Sequence, residues 1–266
     1  MLSATVLPAD PLTDMDFERR FGGIGRLYGD QALARLSAST VCIVGIGGVG
    51  SWVVEALARS GVGRLTLIDL DHIAESNINR QAHALDATLG QSKVLAMSER
   101  VRGINPRCRV TQIDEFLTPE NVGELLDGFD VVVDAIDNVR AKVAMAAYCH
   151  RHHLTLVMAG GAGGKTDPTH IRVDDLSRTE QDPLLAKVRA QLRKAHGFPR
   201  DPKRKFAIEA VYSCEPLRYP EAAVCDAGRG PQGLACAGYG SSMAMTASVG
   251  LFVAARVMDH LLKPAV

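Results

Sequence analysis

No two of the six cysteines, Cys42, Cys108, Cys149, Cys214, Cys225 and Cys236, form a CxxC pair. A tetrahedral thiolate site draws on closely spaced ligands, so no structural zinc is expected. A disulfide scaffold is equally out of place in a chain of 266 residues, which can bury a full core, and free thiols in a reducing compartment are the expectation. Net charge is missing too: 30 Lys and Arg balance 30 Asp and Glu, so any polyanion contact must be a local patch. No basic leader runs into an apolar stretch near the start, where Asp10, Asp14 and Asp16 stand instead, and no signal peptide is expected. The GxxxxGK[ST] spacing of a phosphate loop is absent, which leaves the GGK at 163–165 isolated. No internal repeat is evident.

The uncharged stretch AGYGSSMAMTASVGLFVAA at 237–255 has the length of a membrane span. Glycine, serine and threonine dilute it, so it reads as a buried helix. No integral span is expected; a peripheral membrane contact stays open, and the chain is placed in the cytoplasm with membrane association open.

What is present is alternation. TVCIVG at 40–45, RLTLID at 64–69, CRVTQI at 108–113, FDVVVDA at 129–135 and LTLVMAG at 154–160 are short apolar runs suited to buried parallel strands. Helical patterns separate them: VGSWVVEALARSG places Val49, Trp52, Val53 and Leu57 on one face with Glu55 and Arg59 turned away, and Gly61 stops it. GQSKVLAMSERVRGI, PENVGELLDG and VRAKVAMAAYCHRHH supply the others. Later, the helix that opens DPLLAKVRAQLRKAHGFPRDPKRKF precedes a basic loop, FAIEAVYS reads as a strand, and a last helix follows. The expectation is an α/β chain with a Rossmann-like open, mostly parallel sheet, helices on both faces, extended by the C-terminal half. We read 1–266 as one domain, with a nucleotide-binding core at 18–159 and a substrate-side extension at 160–266 carrying the basic loop and C-terminal helix.

GIGGVG at 45–50 satisfies GxGxxG through Gly45, Gly47 and Gly50, which lets the backbone turn tightly and bring phosphate to a helix N-terminus. Asp69 closes the second strand, where a carboxylate can accept ribose hydroxyls. A nicotinamide dehydrogenase would satisfy both facts. Three features point away from hydride transfer: the additional Gly48, the polar SNINRQ at 76–81 with Arg80, and Lys93 opening the next helix. Two cations on one face of a nucleotide site suit a triphosphate that loses pyrophosphate. In DAIDN at 134–138, Asp134 and Asp137 end a strand, where a carboxylate can hold magnesium bridging phosphates or, for Asp134, cap local backbone.

GIGGVGS, LIDLDHIAESNINRQ, GQSK and DAIDN, in this order and with these gaps, resemble the adenylating domain of the E1-like, ThiF-type family. The resemblance implies a homodimer that binds ATP and Mg2+ and adenylates a carboxylate. It implies nucleotide contacts from Gly45, Gly47, Gly48, Gly50, Asp69, Asp71, Asn77, Arg80, Gln81, Lys93 and Asp137. Catalytic roles fall to Arg80, Lys93 and Asp137, and the metal, carried by ATP, to Asp137. In relatives an arginine from the neighbouring subunit reaches the phosphates; in ERRFGGIGRLYG its candidates are Arg20 and Arg26.

RFGGIGRLYG, GGAGGKTDPT, QDPLLAKVR and CAGYGSSMAMTASVGLFVA are together similar to one branch of that family, the dehydratases, or cyclases, of tRNA threonylcarbamoyladenosine. That branch implies activation of the threonyl carboxylate on the modified adenosine at position 37 of tRNA, then ring closure by the same residue's carbamoyl group. Capture within one molecule needs orientation more than a protein nucleophile. The run RAQLRKAHGFPRDPKRK offers Arg189, Arg193, Lys194, Arg200, Lys203, Arg204 and Lys205 for RNA, with Phe198 among them; a solvated loop is the other reading. The alternative function is an adenylyltransferase that activates the C-terminal glycine of a small ubiquitin-like sulfur carrier. Cys214, Cys225 and Cys236 stay open for a redox or persulfide role, as does a sulfur-transfer protein partner. His150, His152 and His153 suit a helix terminus as well as a metal, and Met243, Met245 and Met258 read as packing.

Overall fold

A computed structural model describes residues 4–7, 16–29, 31–201, 203–219 and 239–263. Short runs of β-branched and aliphatic residues become the strands β2 (Thr40–Val44), β3 (Arg64–Ile68), β4 (Arg109–Ile113), β5 (Val131–Asp134), β6 (Leu156–Ala159) and β8 (Glu209–Ser213). β1 (Ala4–Leu7) and β7 (Ile171–Asp175) complete an eight-stranded sheet in the order β1-β4-β3-β2-β5-β6-β8-β7. All neighbours run parallel except the two edges, where β1 pairs antiparallel with β4 and β7 with β8. The Rossmann-like, mostly parallel sheet with helices on both faces is what the alternation implied.

Side chains leave each strand alternately, and the two faces have separate cores. Val41 and Ile43 point into a core with Leu65, Leu67, Val131 and Val133, covered by α2 (Ala32–Ala38), α3 (Gly50–Arg59), α4 (Lys93–Ile104) and α8 (Met243–Leu262). Cys42 and Val44 point the other way, against α5 (Val122–Leu125), α6 (Val139–His152) and α7 (Pro183–Ala195). The last of the N-terminal elements, α1 (Phe17–Tyr28), packs Phe21 against Leu33 of α2. β1, α1, α2 and β7 were not anticipated from the sequence.

Caps fix where helices begin. Asn138 accepts the amide of Ala141 at 3.1 Å to open α6, and Asp182 accepts that of Leu185 at 2.9 Å, ahead of Pro183, to open α7. Gly90, at φ +81°, keeps α4 from starting before Lys93. PENVGELLDG yields only the single turn of α5.

α8 is the one helix among the described residues long and apolar enough to cross a membrane by length and composition. Its Met245, Val249, Val253 and Val257 are buried in the sheet core. A Cβ on Gly250 would lie 2.7 Å from the carbonyl oxygen of Val49 and 2.8 Å from Cβ of Trp52, so glycine is what allows α8 to cross α3 so closely. Met245 and Met258 pack as the sequence suggested, whereas Met243, in the first turn, is half exposed. Glu55 also departs from its expected outward place: it is buried, bonded by Arg59 at 2.8 Å and by Arg100 of α4 at 2.5 Å. Burial pushes its carboxyl up, but the two guanidinium groups outweigh that and hold it below the usual range.

Candidate active site

The carboxyl ends of the parallel strands open into one cavity of about 830 Å³. Its lining runs from Glu115–Glu120 beyond β4, across the loops after β2, β3 and β5, to Gly160–Gly163 beyond β6, the start of α7, Leu217 and Tyr239. A crevice at this end of an open α/β sheet is where such folds bind ligands.

The floor is the turn between β2 and α3. Gly45 sits at φ +90°, and a Cβ on Gly50 would come within 1.8 Å of the Gly45 carbonyl oxygen, so neither position admits a side chain. α3 starts with no side chain capping its amides, which leaves its positive end for an anion. Asp69 fastens the turn to β3: it accepts the Ile46 amide at 2.6 Å and the Asp71 amide at 2.9 Å. Burial pushes the Asp69 carboxyl up, opposed by the Lys93 ammonium and these two amides.

The segment between β3 and α4 forms the next wall. Lys93, buried at the first position of α4, gives its ammonium to Asp71 at 2.7 Å. Asn77 accepts the Ala74 amide at 3.2 Å, and Asn79 donates to the Ser241 carbonyl at 2.9 Å. The Arg80 carbonyl is held from two helices, by the Trp52 indole of α3 at 2.9 Å and the Thr246 hydroxyl of α8 at 3.4 Å. Its guanidinium donates to the Ser76 carbonyl and to Asn79. The Gln81 side-chain oxygen is buried without a partner although its residue lines the cavity. Gly45, Gly47, Gly48, Asp69, Asp71, Asn77, Arg80, Gln81, Lys93 and Asp137 thus share one cavity; Gly50 lies behind its floor.

Asp134 and Asp137 part company. Asp137 is exposed at the cavity, whereas Asp134 is wholly buried and takes the ammonium of Lys142 at 2.8 Å. Burial pushes the Asp134 carboxyl up, and Lys142 opposes it. Lys142 also donates to the Ala159 carbonyl at 2.8 Å, and Asp134 accepts the Ile136 amide at 3.3 Å. One buried ammonium therefore ties the end of β5 to the end of β6, beside the loop that carries Asp137. Asp134 is an internal anchor and not a metal ligand.

The far wall carries residues that sequence reasoning missed. Lys165 lines the cavity, yet its ammonium is turned onto the carbonyls of Gln181 at 2.9 Å, Ser213 at 3.3 Å and Glu215. Burial holds its pKa below the usual range. Asp182 accepts the Gly161 amide at 2.9 Å, and Glu215 accepts the amides of Thr166 at 2.8 Å and Asp167 at 3.0 Å. These charges brace the GGAGGK loop. Arg140, at the second position of α6, also reaches the rim and pairs with Glu120 at 2.8 Å.

Other expected residues lie elsewhere. Arg20 donates to the Ile104 carbonyl at 2.9 Å, Arg26 is exposed on the last turn of α1, and neither lines the cavity. The basic run begins on α7, whose first turn touches the cavity, and continues beyond its last turn; thirteen residues of helix separate the two by about 20 Å. Lys194, Arg200, Lys203, Arg204 and Lys205 are exposed there. Arg189 donates to Thr179, and Arg193 lies over the Phe206 ring at 5.3 Å while donating to the Pro199 carbonyl at 3.1 Å. Phe198 does not stand among the cations: it is buried between His150, at 4.6 Å, and Phe206, at 4.9 Å, because its ring completes the core under α6. His152 stacks on Tyr148 at 4.2 Å, and His153 ends α6 in the left-handed conformation. Among the described residues no group of three or more His, Cys, Asp or Glu could hold a metal ion by itself. Cys42, Cys108 and Cys149 are buried and their thiols pushed up by burial, to about 12 for the last two; Cys214 is half-buried. Among the described residues none of these four lines the cavity, and Cys225 and Cys236 fall outside the described residues.

A glycine turn on a helix N-terminus, a buried carboxylate at the next strand end and two cations over the same cavity define a nucleotide-binding α/β protein of the adenylating type. The chain belongs to the ThiF family, whose model matches residues 23–265. The tRNA threonylcarbamoyladenosine dehydratase of Haemophilus influenzae is 53% identical over 250 residues, covering 93% of this chain and 95% of that one. A crystal structure of Escherichia coli tRNA N6-threonylcarbamoyladenosine dehydratase in complex with ATP superposes with a TM-score of 0.84 at 44% identity, covering 94% of this chain and 97% of that one. The molybdopterin-synthase adenylyltransferase of Haemophilus influenzae is 36% identical over 128 residues, 48% of this chain and 52% of its own.

Proposed function

We propose that the chain is an ATP-dependent enzyme that dehydrates, and so cyclises, N6-threonylcarbamoyladenosine at position 37 of tRNA. ATP fits the residues present: the glycine turn at the uncapped start of α3, Gln81 with its unpartnered oxygen, and the cations Arg80 and Lys93 all belong to the lining of one cavity. ATP supplies the leaving group, since transfer of AMP to the threonyl carboxylate turns a poor electrophile into a good one. Asp69 and the glycine turn orient the nucleotide, and Arg80 and Lys93 offset the charge that grows on departing pyrophosphate. Asp137, exposed at the same cavity, would hold a magnesium ion carried by ATP, which would supply charge stabilisation on the phosphates. Arg20 or Arg26 of a second copy completes the phosphate site across a homodimer. The chain works with its tRNA in the cytoplasm.

The observation that carries cyclisation over a covalent relay is the placement of the described cysteines. Cys42, Cys108 and Cys149 are buried in the core, and Cys214 does not line the cavity. On this reading the nucleophile is the substrate's own carbamoyl group, which closes on the activated carbonyl, releases AMP and leaves the base short of one water. Orientation within a single bound molecule supplies what a thiol would otherwise provide. The match along nearly the whole chain supports this substrate over a sulfur carrier, for whose activating enzyme the likeness spans only about half of it.

Pyrophosphate release tests this directly. It should depend on tRNA that carries threonylcarbamoyladenosine, and the nucleoside should lose the mass of one water. Release with a carrier protein and with neither tRNA would overturn the assignment. A trapped acyl-enzyme would exclude intramolecular capture.

A further inference from the structure

Once the ribose lies on Asp69 and the phosphates under Arg80, the AMP moiety occupies the β3 side of the cavity. The incoming carboxylate then reaches the α-phosphate from the other side, past Gly160–Gly163 and the rim made by Leu217 and Tyr239. The expected RNA-binding cations after α7 follow its last turn, about 20 Å along the helix from its first turn at the cavity, so a nearer group is needed to hold the reacting nucleotide. The rim has what unpaired RNA bases require. Tyr239 lines the cavity, and the exposed ring of Tyr219 meets it edge-on, with centroids 5.4 Å apart and planes at 63°. Arg218 stands beside them, its side chain 69% exposed and only loosely paired with Glu215 at 3.3 Å.

The loop beneath them is shaped to this end. The Gly164 carbonyl accepts the Arg218 amide and its own amide donates to the Gly240 carbonyl, both at 2.9 Å, so 218 and 240 are clipped to one residue. Gly164 has φ +68°, and a Cβ there would meet Leu217 at 3.0 Å and the Tyr239 ring at 3.3 Å. The loop is thus held flat, with Tyr239 over it.

We propose that Tyr239 and Tyr219, with Arg218, form the platform on which unpaired bases of the anticodon loop stack, Tyr239 under the modified adenosine and Tyr219 under a neighbour. Aromatic faces take any base and an adjacent arginine takes the backbone, which is how proteins grip single-stranded nucleic acid. This rests on the tRNA reading above.

The test pairs steady-state pyrophosphate release with direct binding of modified tRNA followed by fluorescence anisotropy. Tyr239→Ala should raise the tRNA KM and Kd roughly tenfold or more while leaving the ATP KM unmoved, with a smaller rise for Tyr219→Ala. Tyr239→Phe and Tyr239→Trp, which keep a ring, should restore most of that loss. Arg218→Ala should reduce the salt slope of tRNA binding by roughly one charge, and the tyrosine variants should not. An unchanged tRNA Kd in Tyr239→Ala overturns the proposal, as does a parallel rise in ATP KM or a phenylalanine as damaging as alanine. If the wild-type chain fails to release pyrophosphate with modified tRNA, the enzymatic reading has failed, and anisotropy alone decides whether the rim binds RNA.

Discussion

On one wall of the cavity the polar side chains between Asp69 and Lys93 stand along a single stretch of chain, and the partners of Arg80 and Lys93, namely Ser76, Asn79 and Asp71, belong to that same stretch. On the opposite wall Lys165, Asp182 and Glu215 come from three separate segments and spend their charges on backbone amides and carbonyls. The first wall is local, its charges and their partners lying within one segment. The second is built to hold a shape, and what it shows the cavity is glycine backbone, Leu184, Leu217 and an aromatic ring.

Lys142 ties the ends of β5 and β6 between the two walls, so breaking it is the most severe test of the comparison. Lys142→Met leaves Asp134 buried and unpaired and should cost about 3–5 kcal/mol, read as a lower denaturation midpoint. ATP-dependent and tRNA-dependent properties should fall together. Arg80→Ala should separate the walls: turnover drops roughly 100- to 1,000-fold while tRNA binding survives. Equal loss of tRNA affinity would mean that the walls do not work independently.

Acid should also treat the two sides in sequence. His83 is buried near Lys93 and Arg100; burial first, then those cations, holds its pKa down at about 4 from 6.5. The unfolded chain takes up this proton first, so stability present above pH 6.5 is lost as the pH falls from there to about 4. Glu209 of β8 has the other behaviour: His260 and Arg256 of α8 outweigh burial and hold it at about 2, against 4.5. Its contribution is present above pH 4.5 and is lost as the pH falls towards 2. The His83 shift is worth about 3 kcal/mol, and that of Glu209, which is more open to solvent, less. Urea denaturation across this range should show two limbs, the upper one flattened by His83→Phe and the lower one by Glu209→Gln. The smallest effect belongs to the loop after α7. Neutralising Lys203, Arg204 and Lys205 should reduce the salt slope of tRNA binding by roughly one per charge, and leave the ATP KM alone.

The same contrast decides what could be read from the sequence. GIGGVG, SNINRQ and DAIDN keep their chemistry in contiguous residues, so the charged wall was visible before any coordinates. Asp134 and Asp137 end the same strand, and the sequence already favours Asp137 for the ligand and allows backbone capping for Asp134, but the buried Lys142 that pairs with Asp134, eight residues further on, could not be read from it. Lys165 read as an isolated GGK because its partners, the carbonyls of Gln181, Ser213 and Glu215, come from other segments. The basic run was legible as charge but not as a place, since its distance from the cavity is set by the length of α7. Phe198 fell among cations in sequence and among aromatics in space. Glu55 carried no outward sign of its burial, because Arg100 arrives from the next helix.

The Arg80 carbonyl, gripped by Trp52 of α3 and Thr246 of α8, has a consequence for how the protein comes into being on the ribosome. Every contiguous nucleotide motif has been made by the time Asn138 emerges, yet the helix that steadies Arg80 is the last described element to follow. A nascent chain that has finished its glycine turn still lacks Thr246 and the Ser241 carbonyl that holds Asn79. A prematurely released fragment therefore carries the glycine turn and SNINRQ without the two contacts, from Thr246 and the Ser241 carbonyl, that hold Arg80 and Asn79 in place.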